Sequence, residues 1–140
     1  MTTDVGVRTL LDSLAAACGV MDADAIANCM DVPLLLVHAH RNEFIESGEA
    51  LDQWIADEIA RLRDTGVATL AVETLGAVEE LPGDAWHADI GWRGEDAEGR
   101  IVLHLPIRYT IADDEEGDAA IIAVDLSAVE AAYAAAGKLN

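Results

Sequence analysis

The residues best suited to chemistry lie in the second half of the chain, on predicted strands. They are two histidines, two aspartates and an arginine: His87, Asp89, His104, Arg108 and Asp125. An imidazole titrates near neutral pH, and a carboxylate that holds it in place lets it pass a proton. A guanidinium binds anionic groups through its planar fork. This set could therefore carry out acid–base chemistry, with Asp89 holding His104 and Arg108 binding an anionic group.

The first hairpin decides which of these residues meet. Pairing Gly94 with Gly99 places Asp89 opposite His104 and leaves a four-residue loop. Pairing Asp96 with Gly99 instead leaves only two residues, neither of them suited to a tight turn. We therefore favour the first register.

The second hairpin pairs Ala112 with Ala119, which places Asp125 beside Pro106. Apolar faces must match across strands, because a slip of one residue turns every side chain over. The face expected to form the core carries Trp86, Ile90, Trp92, Leu103, Leu105, Ile107, Tyr109, Ile122 and Val124. The five polar residues are expected on the other face.

That polar face also has an ordinary structural explanation. An antiparallel sheet commonly leaves one face in water. Neighbours of opposite charge across strands are normal there and stabilise a sheet only slightly. Two interpretations stay open: a solvated or subunit-facing surface, and a working site.

Other motifs are weaker. His38 and His40 are two residues apart, so on a strand they point to opposite faces and do not favour a shared metal ion. Cys18 and Cys29 match no zinc or redox spacing, and their apolar helical surroundings predict buried free thiols. The sequence contains no glycine-rich phosphate loop, His-Glu-x-x-His or Gly-x-Ser-x-Gly. We predict neither a metal nor a cofactor.

Apolar periodicity predicts the elements that position these residues. Spacing of 3.6 residues indicates helices over 4–18, from 22 until Pro33, and over 49–65, with Cys29 and Met30 on the buried face of the second. A buried strand is expected at 34–37, with 44–45 pairing back on it. A period of two then predicts strands at 67–81 (with a bulge at Gly76), 85–93, 100–112 and 119–126. Ser127 and Glu130 form a potential capping box for a last short helix. Helices followed by strands indicate an α+β fold.

Composition excludes several classes of function. The chain has 140 residues, 52% of them apolar, and a net charge of −19 from 8 basic and 27 acidic residues. One domain over 1–140 is expected at this length. Such an acidic chain is unsuited to bind nucleic acid or an anionic membrane surface. The sequence shows no secretory signal pattern and no apolar run long enough to span a bilayer, so we expect a cytoplasmic protein.

The order of elements resembles a known superfamily. Two N-terminal helices are followed by Pro-Leu-Leu-Leu-Val at 33–37, by Ser-Gly-Glu-Ala-Leu at 47–51 opening a long helix, and by long antiparallel strands. This order resembles the NTF2-like superfamily, above all its SnoaL-like (polyketide cyclase-like) and ketosteroid isomerase-like branches, over essentially the whole chain. The resemblance implies a cone-shaped, cystatin-like α+β fold. A bent antiparallel sheet would wrap the long helix around a mostly apolar pocket.

The resemblance also implies candidate site residues. The pocket would be lined by Trp54, Trp86, Trp92, Tyr109, Arg108 and Met30. Cyclase-like members place an acid/base aspartate on a late strand, where Asp125 is the match. Isomerase-like members use a tyrosine from the first helix, and this chain has none there.

The leading hypothesis is a pocket for a small hydrophobic molecule. One alternative is a cyclase, isomerase or hydratase that uses Asp125 or the pair of Asp89 and His104. Another is a non-catalytic protein-interaction module. Members of the superfamily often dimerise sheet to sheet, so we expect a homodimer with His104 and Arg108 at its interface.

Overall fold

The structure, a computed structural model, describes residues 1–139, with side chains as far as residue 137. The helices are α1 Asp4–Gly19, α2 Ala23–Ala27, α3 Gly48–Asp64 and α4 Val129–Leu139. The strands are β1 Met30–Val37, β2 Asn42–Ile45, β3 Thr69–Leu81, β4 Ala85–Glu95, β5 Ile101–Asp113 and β6 Ala119–Asp125. This order confirms the predicted α+β class. No helix within the described residues has the length and apolarity needed to cross a bilayer.

The first three helices begin where the sequence predicts. Thr3, Asp22 and Ser47 each accept, through a side-chain oxygen, the backbone N–H three residues further on, at 3.1 Å. These bonds satisfy donors that the first helical turn leaves free. Asp or Glu in each first turn adds a favourable interaction with the helix dipole.

The second helix is shorter than predicted. It ends at Ala27, and Met30 belongs to β1 rather than to a helical face. The backbone N–H of Ile121 donates to the carbonyl of Cys29 at 2.9 Å, and Met30 pairs with Ile121. Pairing with a strand some 90 residues away therefore overrides the local helical pattern. A short apolar run does not by itself distinguish a helix from a strand.

All six strands form one mixed sheet, in the order β2-β1-β6-β5-β4-β3. The antiparallel meander of β3 to β6 is confirmed, and so is the hairpin of β1 with β2. The sheet is nevertheless not antiparallel throughout, because β1 pairs with β6 in parallel. That pairing joins the N-terminal hairpin to the meander.

The predicted register of the first long hairpin is wrong by four residues. Asp89 lies opposite Arg108, and His104 lies opposite Arg93. The turn spans 96–100: Asp96 accepts the backbone N–H of Gly99 at 3.0 Å, and this glycine has a φ of +81°. Glycine is favoured there because a Cβ would be strained.

A single bulge next to this turn completes the register. The pairing shifts between Gly94 and Glu95, which leaves Val102 as an extra residue on β5. Both the predicted and the observed pairings place like faces together, because they differ by an even number of residues along most of the hairpin. The predicted division of β4 and β5 into an apolar and a polar face is therefore correct, although the predicted register is wrong.

The second hairpin repeats the same design. Asp114 accepts the backbone N–H of Gly117 at 3.1 Å, and Gly117 has a φ of +83°. A bulge then leaves Ile122 as an extra residue between the pairs that flank it. Because of this bulge Ile121, not Ile122 as predicted, is fully buried in the core. The register also places Asp125 opposite Arg108 rather than beside Pro106 as predicted.

The core lies between the apolar face of the sheet and the helices. Helix α1 lies against β3 and β6, α2 lies between α1 and α3, and α4 lies against β5. The buried helical stripes are Val7, Leu10, Leu11, Leu14, Ala17 and Cys18 on α1 and Leu51, Ile55, Ile59 and Leu62 on α3. Both follow the predicted spacing closely. Gly94 is buried between Val67 and Leu103, where a Cβ would come within about 3 Å of both side chains.

Candidate functional site

A cavity of about 90 Å³ lies between the sheet and the helices. We call it the cone cavity. Its wall is formed by residues of all four helices, of β1 and of the inner face of β3 to β6: Leu14, Cys18, Ile26, Met30, Trp54, Ile55, Glu58, Ile59, Leu62, Leu70, Trp92, Leu105, Ile107, Tyr109, Val124, Leu126 and Tyr133. Nearly all of these side chains are apolar or aromatic. A lining of this kind is typical of sites for small organic molecules.

Four of the six residues predicted to line a pocket lie in this wall. They are Met30, Trp54, Trp92 and Tyr109. Trp86 is buried but lies further along β4, opposite Ile111, and is not part of the wall. Arg108 is also absent from it, because side chains alternate along β5 and Arg108 points to the opposite face from its neighbours Ile107 and Tyr109.

Two aromatic side chains of the wall are bonded to each other. The indole Nε1–H of Trp92 donates to the hydroxyl oxygen of Tyr109 at 2.9 Å. Both residues are almost completely buried. Burial raises the pKa of the Tyr109 phenol, so it stays neutral. The bond satisfies an indole donor that would otherwise be unpaired inside the protein.

Glu58 is the acidic residue of the cavity wall, and the sequence analysis did not single it out. Burial raises the pKa of its carboxyl group, although Arg61 on the same helix opposes the shift. Within the described residues it makes no hydrogen bond or ion pair. A signal was present in the sequence: Glu58 lies midway between Trp54 and Leu62 at intervals of four, on the inner side of α3.

A second, polar cavity of about 290 Å³ adjoins the cone cavity and shares Trp54, Glu58 and Leu126 with it. We call it the vestibule. Its other lining residues come from the turn after β1, from α3 and from the start of α4: His38, Ala39, Arg41, Glu43, Asp57, Arg61, Val129 and Glu130. An apolar chamber and a charged one thus meet at Trp54 and Glu58.

The basic side chains of the vestibule already have partners. His38 Nε2 lies 3.1 Å from Glu43 Oε1, and Arg41 Nη1 lies 3.3 Å from the same oxygen. The bond to His38, followed by that to Arg41, lowers the pKa of Glu43. These contacts fold the turn between β1 and β2 over the vestibule.

The other arginine of the vestibule, Arg61, joins α3 to α4. Its Nη1 and Nη2 atoms donate to the two carboxylate oxygens of Glu130, each at 2.8 Å, and lower the pKa of that carboxyl group. The guanidinium also stacks on the ring of Tyr133, 3.8 Å from its centre. The capping box predicted with Ser127 does not form, because the Ser127 backbone N–H that it requires donates to Asp125 Oδ1 at 2.9 Å.

The predicted acid–base residues lie on the outer face of the sheet, away from the cone cavity. The predicted pair of Asp89 and His104 is wrong: Arg108 donates to Asp89, from Nε at 2.7 Å and from Nη2 at 3.1 Å. His104 Nδ1 lies 2.8 Å from a carboxylate oxygen of Glu73 instead. The hydrogen bond from Arg108 lowers the pKa of Asp89, which is therefore an anion at neutral pH and not a proton carrier.

Asp125 faces a shallow outer groove of about 390 Å³, together with Asp89 and Arg108. Its Oδ1 accepts the backbone N–H of Ser127 at 2.9 Å, so it holds the chain leaving β6. Pairing aligns Asp89, Arg108 and Asp125 across three neighbouring strands. The outer face is charged and open, whereas the wall of the cone cavity is mostly apolar.

No protein-family model matches the sequence, and no curated protein matches it. Solved structures do match. An NTF-2 like protein of unknown function from Shewanella oneidensis is similar with a TM-score of 0.66 and 14% identity, over 88% of this chain and 97% of its own. A domain of unknown function with a cystatin-like fold from Nostoc punctiforme is similar with a TM-score of 0.66 and 11% identity, over 90% and 78%. A ketosteroid isomerase-like protein from Erwinia carotovora atroseptica is similar with a TM-score of 0.61 and 10% identity, over 86% and 92%. The chain has the NTF2-like fold.

This result confirms the fold that the resemblance implied. In the NTF2-like fold of this chain, the bent sheet and the long helix α3 enclose the cone cavity from opposite sides. At 10–14% identity the likeness extends to the fold alone, so the chemistry must be argued from this chain's own residues.

One group of carboxylates in this NTF2-like chain has the spacing of a metal site. Ligand atoms of Asp114, Glu116 and Asp118, in the turn between β5 and β6, lie within 4.8 Å of one another. However, Asp114 Oδ1 already accepts the backbone N–H groups of the other two residues, at 2.9 Å each. The carboxylate therefore has a structural role in the turn.

The two cysteines are free and buried, as predicted. Burial raises the pKa of Cys18 to about 12 and also raises that of Cys29. Neither is a thiolate at neutral pH, so neither has the form needed for nucleophilic or redox chemistry. Cys18 contributes to the wall of the cone cavity as a small apolar side chain.

Proposed function

We propose that this protein binds a small, largely apolar molecule in the cone cavity. The observation that carries the proposal is the apolar and aromatic wall around about 90 Å³ of space. An apolar cavity of about 150 Å³ accepts benzene, and the cone cavity is of the same order of size. A ligand of that size would gain the free energy of leaving water without loss of a protein hydrogen bond.

The cavity has the position expected of a binding site. It lies between the sheet and α3 and shares Trp54 and Glu58 with the vestibule. Its polar groups are few: the Tyr109 hydroxyl is used by Trp92, while the Glu58 carboxyl is free. A small number of polar groups in an apolar wall can orient a ligand without disfavouring its burial.

The test is an NMR titration with benzyl alcohol, followed through the three tryptophan indole N–H signals. Trp54 and Trp92 line the cavity and Trp86 does not, so we expect saturable shifts of the first two signals only. Met30→Trp should fill the cavity and abolish the shifts, since Met30 is half-buried in its wall. Ile122→Trp, a matched enlargement on β6 outside the wall, should retain them. Unchanged Trp54 and Trp92 signals in the wild-type protein would contradict the proposal.

Catalysis by Asp125, His104 and Asp89 stays a prediction. The cone cavity offers them no access to a bound molecule, because all three lie on the outer face. A cyclase, isomerase or hydratase acting in the cone would need another acid or base. Glu58 is the carboxyl group in a suitable position.

We also propose a homodimer through the outer face of the sheet. Its support is the charge pattern: the row of Asp89, Arg108 and Asp125 is suited to meet a second copy related by a two-fold axis, which brings like patches together. The Arg108 variant described in the Discussion tests this proposal.

A further inference from the structure

We propose that the molecule bound in the cone is an amphipathic amine. Its apolar body fills the cone cavity, and its ammonium group meets the Glu58 carboxylate at the border between that cavity and the vestibule. This inference rests on the proposed function and adds the chemical class of the ligand.

The charged side chains around the border are unequally paired. Two arginines and a histidine line the vestibule, and each has an acidic partner: His38 and Arg41 share Glu43, and Arg61 holds both oxygens of Glu130. Two carboxylates are left without a cationic partner among the described residues. The unmatched charge of the vestibule is therefore negative, and a cation would complete it.

These two carboxylates differ in position. Asp57 accepts a hydrogen bond from Gln53 at 2.8 Å and is exposed on the outer side of α3. Glu58 is half-buried and belongs to both cavities. The Glu58 carboxylate can therefore receive a charged or polar group of a ligand whose apolar part lies in the cone cavity.

Trp54 supports a cation at the same border. It lies one helical turn before Glu58, and its indole lines both cavities. The face of an indole attracts an ammonium group, an effect that strengthens when water is excluded. An aromatic side chain beside a carboxylate is a favourable setting for an ammonium ion and an unfavourable one for an anion.

An anionic ligand is disfavoured at this position. Arg61 is the cation nearest in sequence to Glu58, but Glu130 engages it through two nitrogens and Tyr133 covers its face. An anion would have to displace Glu130 and lie beside Glu58. The chain's net charge of −19 adds a general repulsion to anions and attraction to cations.

The experiment compares three molecules that share one ring: benzylamine, benzyl alcohol and benzoate. Each is titrated at pH 7 into the full chain by calorimetry and by the indole N–H signals of Trp54 and Trp92. We expect benzylamine to bind at least about tenfold more tightly than benzyl alcohol, the scale of one charge-assisted hydrogen bond. Benzoate should bind more weakly than either.

Two variants test whether the preference for the amine depends on Glu58. Glu58→Gln keeps the shape of the side chain and removes its charge, so the ratio of amine to alcohol affinity should fall to within about twofold, since the charge-assisted bond is lost. Asp52→Asn removes one charge from an exposed position of the same helix outside both cavities and should leave the ratio unchanged. An equal loss in both variants would mean that net charge, not Glu58, attracts the amine, and would overturn the inference.

The pH dependence gives a separate readout. Protonation of Glu58 should weaken the binding of benzylamine and leave the binding of benzyl alcohol unchanged. The groups whose charges act on Glu58 are Arg61 and Asp57 on α3, His38 after β1, and Glu130 on α4, with Tyr133 also close. Because Glu130 and Arg61 form a pair, Glu130→Gln serves to measure their contribution to the same profile.

The outcomes separate the two proposals. If benzyl alcohol binds in the cone as tightly as benzylamine, the cavity is a binding site but the amine preference is wrong. If benzoate binds best, Arg61 rather than Glu58 governs the border, and the inference is again overturned. If none of the three moves the indole signals of Trp54 and Trp92, both proposals fail.

Discussion

Arg108 on β5 holds Asp89 on β4 through two hydrogen bonds, of 2.7 Å and 3.1 Å, directly across the strand pair. A two-point contact of this kind fixes the orientation of both side chains. It pairs the opposite charges of these two side chains at the centre of the outer face. It also explains why Asp89 does not act on His104, which lies next to Glu73 instead.

Loss of Arg108 should bring the pKa of Asp89 back toward its usual value. The bond lowers the pKa of Asp89, so its contribution to stability is present above the unfolded pKa and is lost as the pH falls through the folded value. In Arg108→Gln the pKa of Asp89 should rise, as measured by NMR titration of its carboxyl carbon. Arg100→Gln, on the exposed turn between β4 and β5, should leave it unchanged. An unaltered Asp89 titration in Arg108→Gln would show that the bond is not formed in solution.

A charge reversal at Arg108 tests the proposed dimer. Arg108→Glu places a third carboxylate between Asp89 and Asp125, and like charges aligned across strands are unfavourable. We expect a shift from dimer to monomer in sedimentation or light-scattering measurements. Arg100→Glu makes the same change in charge away from the outer face and should remain dimeric. A dimeric Arg108→Glu protein would place the interface elsewhere.

Removal of the Tyr109 hydroxyl should destabilise the core. In Tyr109→Phe the buried indole N–H of Trp92 loses its acceptor, which costs about 1–3 kcal/mol in the free energy of unfolding. Urea denaturation gives the value. Tyr133→Phe is the control, because the Tyr133 hydroxyl makes no hydrogen bond within the described residues, and it should change the free energy by less than about 0.5 kcal/mol.

Truncation of Leu105 tests the assignment of the inner face. Leu105 is 6% exposed, and Leu105→Ala should lower the free energy of unfolding by about 2–5 kcal/mol, as for other buried leucines. Ile101 on the same strand is 47% exposed, so Ile101→Ala should cost less than about 1 kcal/mol. Similar losses in the free energy of unfolding in the two variants would contradict the placement of Leu105 in the core and of Ile101 at the surface.

Neutralising Glu58 should stabilise the protein at neutral pH. Burial raises its pKa, so its contribution favours the folded state at low pH and is lost as the pH rises through the folded value. Thermal unfolding of Glu58→Gln should match the wild type near pH 4 and exceed it at pH 7, by less than about 2 kcal/mol. Asp52→Asn controls for the relief of general negative charge. A Glu58→Gln protein less stable than Asp52→Asn at pH 7 would show that the charged carboxylate has a stabilising partner.

The helices and the faces of the strands could be predicted because each depends on local patterns. The stripe of Leu51, Ile55, Ile59 and Leu62 defines α3 by spacing alone. The division of β4 and β5 into two faces needs only alternation, and it tolerates a register error of an even number of residues. The parallel pairing of β1 with β6 has no comparable local signal.

The registers depended on turns and bulges that the sequence does encode in part. Asp-Ala-Glu-Gly-Arg at 96–100 and Asp-Glu-Glu-Gly-Asp at 114–118 form the same turn, with an aspartate that accepts backbone N–H groups and a glycine in the left-handed region. Asp first and Gly fourth is a known preference of β-turns. The bulges at Val102 and Ile122 carry no such signature, and they determine which residues meet.

The candidate site was predicted only in its apolar part. Aromatic and apolar residues such as Trp54 and Trp92 reach the cavity because they lie on core faces. Glu58 was missed because a lone glutamate on a helix usually faces water. Glu58 is buried because α4 lies over this part of α3, where Tyr133 and Glu130 of α4 both contact Arg61. Arg61 and Glu130 are 69 residues apart in the sequence.

The parallel pairing of β1 with β6 also has a consequence for how the chain folds during its synthesis. The hairpin of β1 and β2 emerges from the ribosome early, but its place in the sheet is beside a strand that ends at Asp125. Until then the apolar edge of β1 has no partner, and α1 and α2 have an incomplete surface to cover. The meander can form from neighbouring segments, whereas closure of the cone requires contacts between distant segments, such as β1 with β6 and α1 with β3. Contacts of this kind slow folding. The exposed N-terminal half is therefore the part of the nascent chain that most needs protection from aggregation.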